Sequence, residues 1–231
     1  MEAERRWAGS CMKLFAHRGW RAGGDENTLA AFARAAGERG ISGIELDVRA
    51  APDGTLLVCH DPPATGDNTL TFDAALAFLS GTTLELFIEL KERGIAQAVI
   101  DKLVTANMAD RAVVFAFAPV ARSFPWNASR PVRLGIIVLY PWTIGRAMRA
   151  FAPDVLFLGW DDRAWSRIAF QAWWSRFSLA RLARRHRVPV VVGIVQRAAD
   201  LDWLGRQGVH AAVTDFDATI TAALARRGTA P

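Results

Sequence analysis

Two cysteines in 231 residues, Cys11 and Cys59, are too few for a disulfide framework. Cys59 lies in an apolar run just before His60, so a reducing compartment is the expected setting. No stretch approaches about 18 uninterrupted apolar residues, which argues against a transmembrane segment. The first residues carry Glu2, Glu4, Arg5 and Arg6 and lack the apolar centre of a secretion signal, so the expected location is cytoplasmic, with peripheral membrane contact allowed. There is no Gly/Ser or polar tract long enough to act as a linker, and no internal repeat. A Gly-rich dinucleotide fingerprint after the first strand is also missing, which counts against an open doubly wound sheet. Neither sign of charge dominates: the net charge is +5, with an isoelectric point near 10.0. The positive residues are scattered, and the densest group (Arg181, Arg184, Arg185 and Arg187) falls where a helix should end before Val188-Pro189. Cations in a last helical turn suit the helix dipole, so no nucleic-acid partner is expected.

What remains is an apolar chain, 52% hydrophobic and 22% charged, long enough to bury one large core. Short β-branched or aromatic runs alternate with Ala/Arg/Leu segments of helical periodicity, the pattern of a parallel sheet covered by helices. Strands are predicted at 13–16, 43–48, 56–60, 84–90, 112–117, 133–139, 155–158, 189–195 and 211–214. Helices are predicted at 29–39, 72–79, 96–106, 143–150, 179–187, 199–207 and 218–226. Nine strands exceed the eight of a barrel by one. The turn Ala51-Pro52-Asp53-Gly54 accounts for the surplus by joining the second and third runs as a hairpin over about 43–60. The expected fold is therefore α/β, a single-domain (β/α)8 TIM-type barrel over residues 12–231, with residues 1–11 as an N-terminal extension.

Within Gly43-Ile44-Glu45-Leu46-Asp47-Val48, period-two alternation puts both carboxylates on one face and the aliphatic residues on the other. Carboxylates facing a barrel interior need a cation, a proton or an ion pair with an arginine, and the sequence leaves those choices open. The hairpin brings Glu45 within about one residue of His60. His17 ends the first strand, so two imidazoles, fit for acid and base work near neutral pH, share the C-terminal face of the barrel. Glu89 supplies a third carboxylate on the same strand face as Lys91, one of only three lysines among 28 basic residues. An oxygen set of Glu45, Asp47 and Glu89 suits one hard divalent cation, Mg2+ or Ca2+, and nothing argues for zinc. Lys91 is either a point charge for phosphate or an ordinary surface partner of Glu92.

These residues fall into a pattern: His17-Arg18-Gly19, Glu26-Asn27-Thr28, Glu45 with Asp47, Asp53-Gly54 followed by His60-Asp61, and Glu89 with Lys91. In order and spacing the pattern resembles the glycerophosphodiester phosphodiesterase family, with Val213-Thr214-Asp215 as a weaker echo near the end. The resemblance implies a barrel hydrolase that cleaves a glycerophosphodiester to glycerol 3-phosphate and an alcohol, using a divalent cation. His17 and His60 would be the acid/base pair, Glu45, Asp47 and Glu89 the metal ligands, and Arg18 and Lys91 the phosphate clamp. Lysophospholipase D or sphingomyelinase D-like action on a lipid, or phosphate-ligand binding without turnover, are the alternatives.

The sequence departs from the family pattern in several places. Only 27 residues separate Asp61 from Glu89, so the family's usual insertion is missing. Asp25 stands where a proline is usual, Ala116 where a serine is, and Gly193-Ile194-Val195-Gln196 where a tryptophan-asparagine strand is. All border the pocket, so they bear on specificity. Trp160, Trp165, Phe170, Trp173, Trp174 and Phe177 crowd one segment with Arg163, Arg167 and Arg176. Core packing of a barrel helix and a lipid-facing, lid-like segment are both open readings.

Overall fold

The structure, a computed structural model, describes residues 12–21, 24–64, 68–127, 129–161, 163–216 and 220–221. Nine strands form in chain order: β1 Lys13–His17, β2 Gly43–Ala50, β3 Leu56–Val58, β4 Glu85–Leu90, β5 Ala112–Phe117, β6 Arg133–Val138, β7 Val155–Leu158, β8 Val190–Val195 and β9 Ala211–Thr214. Eight of them run parallel and close on themselves, because β1 pairs with both β9 and β2. β3 is the exception: it pairs antiparallel with β2 through Val48↔Val58 and Ala50↔Leu56, the hairpin that the Pro52-Asp53-Gly54 turn predicts. Around the barrel lie α1 Leu29–Gly37, α2 Phe72–Ser80, α3 Ala96–Thr105, α4 Ala118–Ala121, α5 Ile144–Phe151, α6 Ala164–Phe177, α7 Leu179–His186 and α8 Ala198–Arg206. This is a (β/α)8 barrel.

Alternation along the strands sorts the side chains. Ile44, Leu46, Val48, Leu86, Ile88 and Leu90 face outward and join the helices' buried faces in the main core. The inward set forms a separate cluster containing Phe15, Phe87, Phe115, Phe157 and Val191. Phe15 stacks on Phe87 with ring centroids 3.6 Å apart, and Phe115 on Phe157 at 3.9 Å. Each buried aromatic ring contributes roughly 1.5–3 kcal/mol, so this plug is a firm floor for whatever sits above it.

Three strands, β5, β7 and β9, have the predicted limits, and most helices agree within a residue or two. The third strand is shorter than predicted. It ends at Val58, and His60 lies in the loop beyond it, because Pro62 and Pro63 lack the N–H groups that a continued ladder requires. The short α4, with Pro119 in its first turn, was not expected. The predicted helix 218–226 falls outside the described residues except for 220–221, which are helical, and residues 1–11 also lie outside them. Among the described residues, no helix is long and apolar enough to cross a membrane.

Candidate active site

β1 carries His17 to the C-terminal rim, where the chain turns sharply. Arg18 (φ 54°) and Gly19 (φ 80°) both adopt left-handed backbone conformations. A Cβ at Gly19 would lie 2.9 Å from both Ala31 Cβ and Phe32 Cδ1, so glycine is required there by space as well as by φ. The turn is closed by the Asn27 N–H, which donates to the Arg18 carbonyl at 2.9 Å. It leaves the Arg18 N–H donating to Glu45 Oε2 at 3.1 Å. His17 is buried, with Nδ1 2.7 Å from Asp215 Oδ1 and Nε2 3.9 Å from Glu45 Oε2.

Register assembles the carboxylates. His17 pairs with Glu45 across β1 and β2, and Asp47 pairs with Glu89 across β2 and β4. Lys91 Nζ sits between the latter two, 2.9 Å from Asp47 Oδ1 and 2.8 Å from Glu89 Oε1. The other oxygen of Asp47 is ion-paired with Arg18 Nε at 2.9 Å and accepts a hydrogen bond from the Asn27 side-chain amide at 3.0 Å. Arg18 Nη1 also reaches Glu26 at 2.6 Å. The ion-pair reading of the inward carboxylates therefore holds for Asp47, whose partners are Lys91 and Arg18. Glu92, the surface partner considered for Lys91, instead pairs with Arg49 at 2.9 Å.

The three carboxylates differ electrostatically. Burial, followed by repulsion from Asp47 and Glu89, pushes Glu45 well above the usual carboxylate range. Burial also raises Glu89, against the opposing pull of Lys91. For Asp47 the burial penalty is outweighed by Lys91 and Arg18, and its carboxyl is held low. Lys91 is buried too, but Glu89 and Asp47 overcome that and hold its ammonium above the usual range.

One cavity of about 240 Å3 is lined by His17, Arg18, Glu45, His60, Glu89 and Lys91, with Phe115, Phe157 and Trp160 among its apolar walls. Asp47 is not on that lining: it is 1% exposed, beneath the ion pairs. Six of the seven residues picked from sequence thus share one cavity, and the seventh supports it. His60 enters from the hairpin loop, its Nδ1 3.0 Å from Asp61 Oδ1 and its carbonyl accepting from Arg49 Nε at 2.7 Å. Glu45, Asp47 and Glu89 each offer an oxygen within 4.8 Å of the others. That donor set, with Glu45 held short of compensating charge, fits a hard divalent cation.

Sequence reading gave Asp215 too little weight. It follows β9, whose Thr214 is paired with Ala16, and so it arrives beside His17. Arg21 Nη2, 2.7 Å away, and the Gln196 amide, 3.2 Å away, also hold it. The burial penalty on its carboxyl is outweighed by the hydrogen bond and charge of His17 and by Arg21, so it is held low. The strand-end position of Thr214-Asp215 was the available clue.

The structure is thus a parallel eight-stranded barrel whose C-terminal face gathers two imidazoles, acidic oxygens and two cationic side chains in one cavity, the usual place for a site in such a barrel. The sequence pattern of the glycerophosphoryl diester phosphodiesterase family matches residues 17–222, and the chain belongs to that family. A glycerophosphodiester phosphodiesterase of Caldanaerobacter subterraneus subsp. tengcongensis is 46% identical over 72 residues, 31% of this chain and 27% of that one. One from Bacillus altitudinis is 51% identical over 49 residues, 21% of this chain and 20% of that one. The matched segments thus span about a quarter or less of these curated relatives. A glycerophosphodiester phosphodiesterase structure from Parabacteroides distasonis superimposes with a TM-score of 0.75 at 18% identity, covering 96% of this chain and 100% of that one. An Oleispira antarctica phosphodiesterase, solved with the product sn-glycerol-3-phosphate, gives 0.68 at 18% identity, covering 93% and 97%. At these identities the likeness bears on the fold alone.

Proposed function

We propose that the chain hydrolyses glycerophosphodiesters to glycerol 3-phosphate and an alcohol, and that residues 12–231 are its catalytic barrel, with 1–11 an extension. The observation that carries this is the single cavity on which His17 and His60 meet Arg18, Lys91, Glu45 and Glu89. Glu45, Asp47 and Glu89 would hold one divalent cation, Mg2+ or Ca2+, which when bound offsets charge on the phosphoryl oxygens. Arg18 and Lys91 supply fixed positive charge to the same oxygens. His17, oriented through Nδ1 by Asp215, takes at Nε2 the proton of the attacking water or substrate hydroxyl. His60, nearer the solvent, protonates the leaving oxygen.

The first test is release of glycerol 3-phosphate from glycerophosphocholine with Mg2+, with Ca2+ and with chelator. Cation-dependent release that disappears in His17→Ala is the expected result; no release with either ion overturns the proposal. The division of labour has its own test. A nitrophenyl leaving group, which needs no proton, should restore most of the activity lost in His60→Ala and little of that lost in His17→Ala.

A further inference from the structure

The catalytic cavity has an apolar continuation. Leu139, Gly159 and Trp160 line it and also line a second groove of about 160 Å3. The far walls of that groove come from the segment after β6, with Tyr140 and Trp142, and from α6, with Trp165, Ala169 and Trp173. α6 is apolar on two faces: Phe170 and Trp174 are buried in the core, while Trp165 (60% exposed), Ile168 and Trp173 are presented outward. Trp142, 71% exposed, stacks on Tyr140 with centroids 5.1 Å apart. Large aromatic side chains grouped in the open usually mark a binding surface.

Two polar members of the groove, Asp161 and Ser166, are already engaged. Asp161 accepts from the Arg163 N–H at 3.1 Å and lies 3.7 Å from the Arg163 guanidinium. The Ser166 hydroxyl donates to the carbonyls of Asp161 and Arg163. Trp160 is the hinge wall between the two spaces, its ring set edge-on against Phe170 at 5.2 Å. A bilayer-docking patch has no need of a concave path into the phosphate site. A chain attached to the reacting phosphodiester does.

On the reading given under Proposed function, we propose that this groove takes a hydrocarbon chain of the substrate. The preferred substrates are then phosphodiesters bearing an acyl or alkyl chain, of the lysolipid kind, in preference to compact water-soluble diesters.

The test compares kcat/KM for glycerophosphocholine with that for its 1-O-hexyl, octyl and decyl ethers, all below their micelle concentrations. Each buried methylene should raise kcat/KM roughly threefold to fourfold until the groove is full. Ala169→Trp fills the groove from an exposed helix position, so core packing is untouched, and it should flatten that slope; Trp173→Ala should reduce it. As a readout independent of turnover, monomeric decylphosphocholine should change the intrinsic tryptophan fluorescence of the wild type and do so less in Ala169→Trp. Cleavage with a flat chain-length profile overturns the groove and leaves the diesterase reading standing. A gain seen only with vesicles or micelles also overturns it, in favour of a membrane surface. Failure to cleave any of the four compounds overturns the diesterase reading, and the substrate preference with it.

Discussion

Asp215 fixes which nitrogen of His17 is free. Its carboxyl, held low and so ionised at neutral pH, only accepts hydrogen bonds, and it sits 2.7 Å from Nδ1. A proton is therefore held on Nδ1, so that in the neutral ring the lone pair falls on Nε2, the nitrogen on the side of Glu45 and the cavity.

Asp215→Asn removes the charge and permits the opposite tautomer. It should lower kcat by about 10²- to 10⁴-fold with KM changed much less, the magnitude found when an orienting carboxylate is neutralised in other hydrolases. Steady-state kinetics on glycerophosphocholine decides the matter. An Asn variant within threefold of wild type would mean that Asp215 merely packs.

Glu45 is held against its preference, first by burial and then by the charges of Asp47 and Glu89. Glu45→Gln removes that repulsion with almost no change of shape. In chelator, its thermal midpoint should rise by a few degrees, since about 1 kcal/mol corresponds to roughly 2–4 °C in a chain of this size. Added Mg2+ or Ca2+ should stabilise the wild type and leave the variant unmoved, and turnover should be lost. Stability and activity thus change in opposite directions, and a variant less stable in chelator contradicts the assignment.

Much of this was legible in the sequence because β-branched runs and alternation are local properties. The faces of Glu45, Asp47 and Glu89 follow from period two alone. What was hidden depended on distance or on chain direction. Asp215 reaches a partner 198 residues away, which only barrel closure brings near. Lys91 lies one residue past β4, and alternation does not reveal that it spans Asp47 and Glu89. The aromatic segment left two readings open because both of its faces are apolar: Phe170 and Trp174 pack in the core, while Trp165 and Trp173 face out. No periodicity rule separates faces that are both apolar.

Gly19→Ala tests the turn that aims His17 and Arg18. The added methyl meets Ala31 and Phe32 at 2.9 Å with the backbone at φ 80°. A loss of about 2 kcal/mol or more in urea unfolding is expected, together with reduced turnover. Loss of turnover at unchanged stability would show that the turn yields without strain.

His210 lies just before β9 at the opposite end of the barrel, its N–H donating to the Val190 carbonyl and its carbonyl accepting from Lys13. Burial, then the charges of Lys13 and Arg133, push its imidazole from the usual 6.5 down to about 3. Between those values the unfolded chain binds a proton that the folded chain refuses. This contribution is fully favourable above about pH 6.5 and is lost as pH falls toward 3. The slope is at most about 1.4 kcal/mol per pH unit, and less here because the ring keeps some solvent contact. His210→Gln cannot titrate, so its urea midpoint should fall less steeply than that of the wild type between pH 7 and pH 4.5. Carboxylates protonate in both proteins, so the difference between the two curves isolates the imidazole. Parallel curves would place the His210 proton on the folded chain as readily as on the unfolded one.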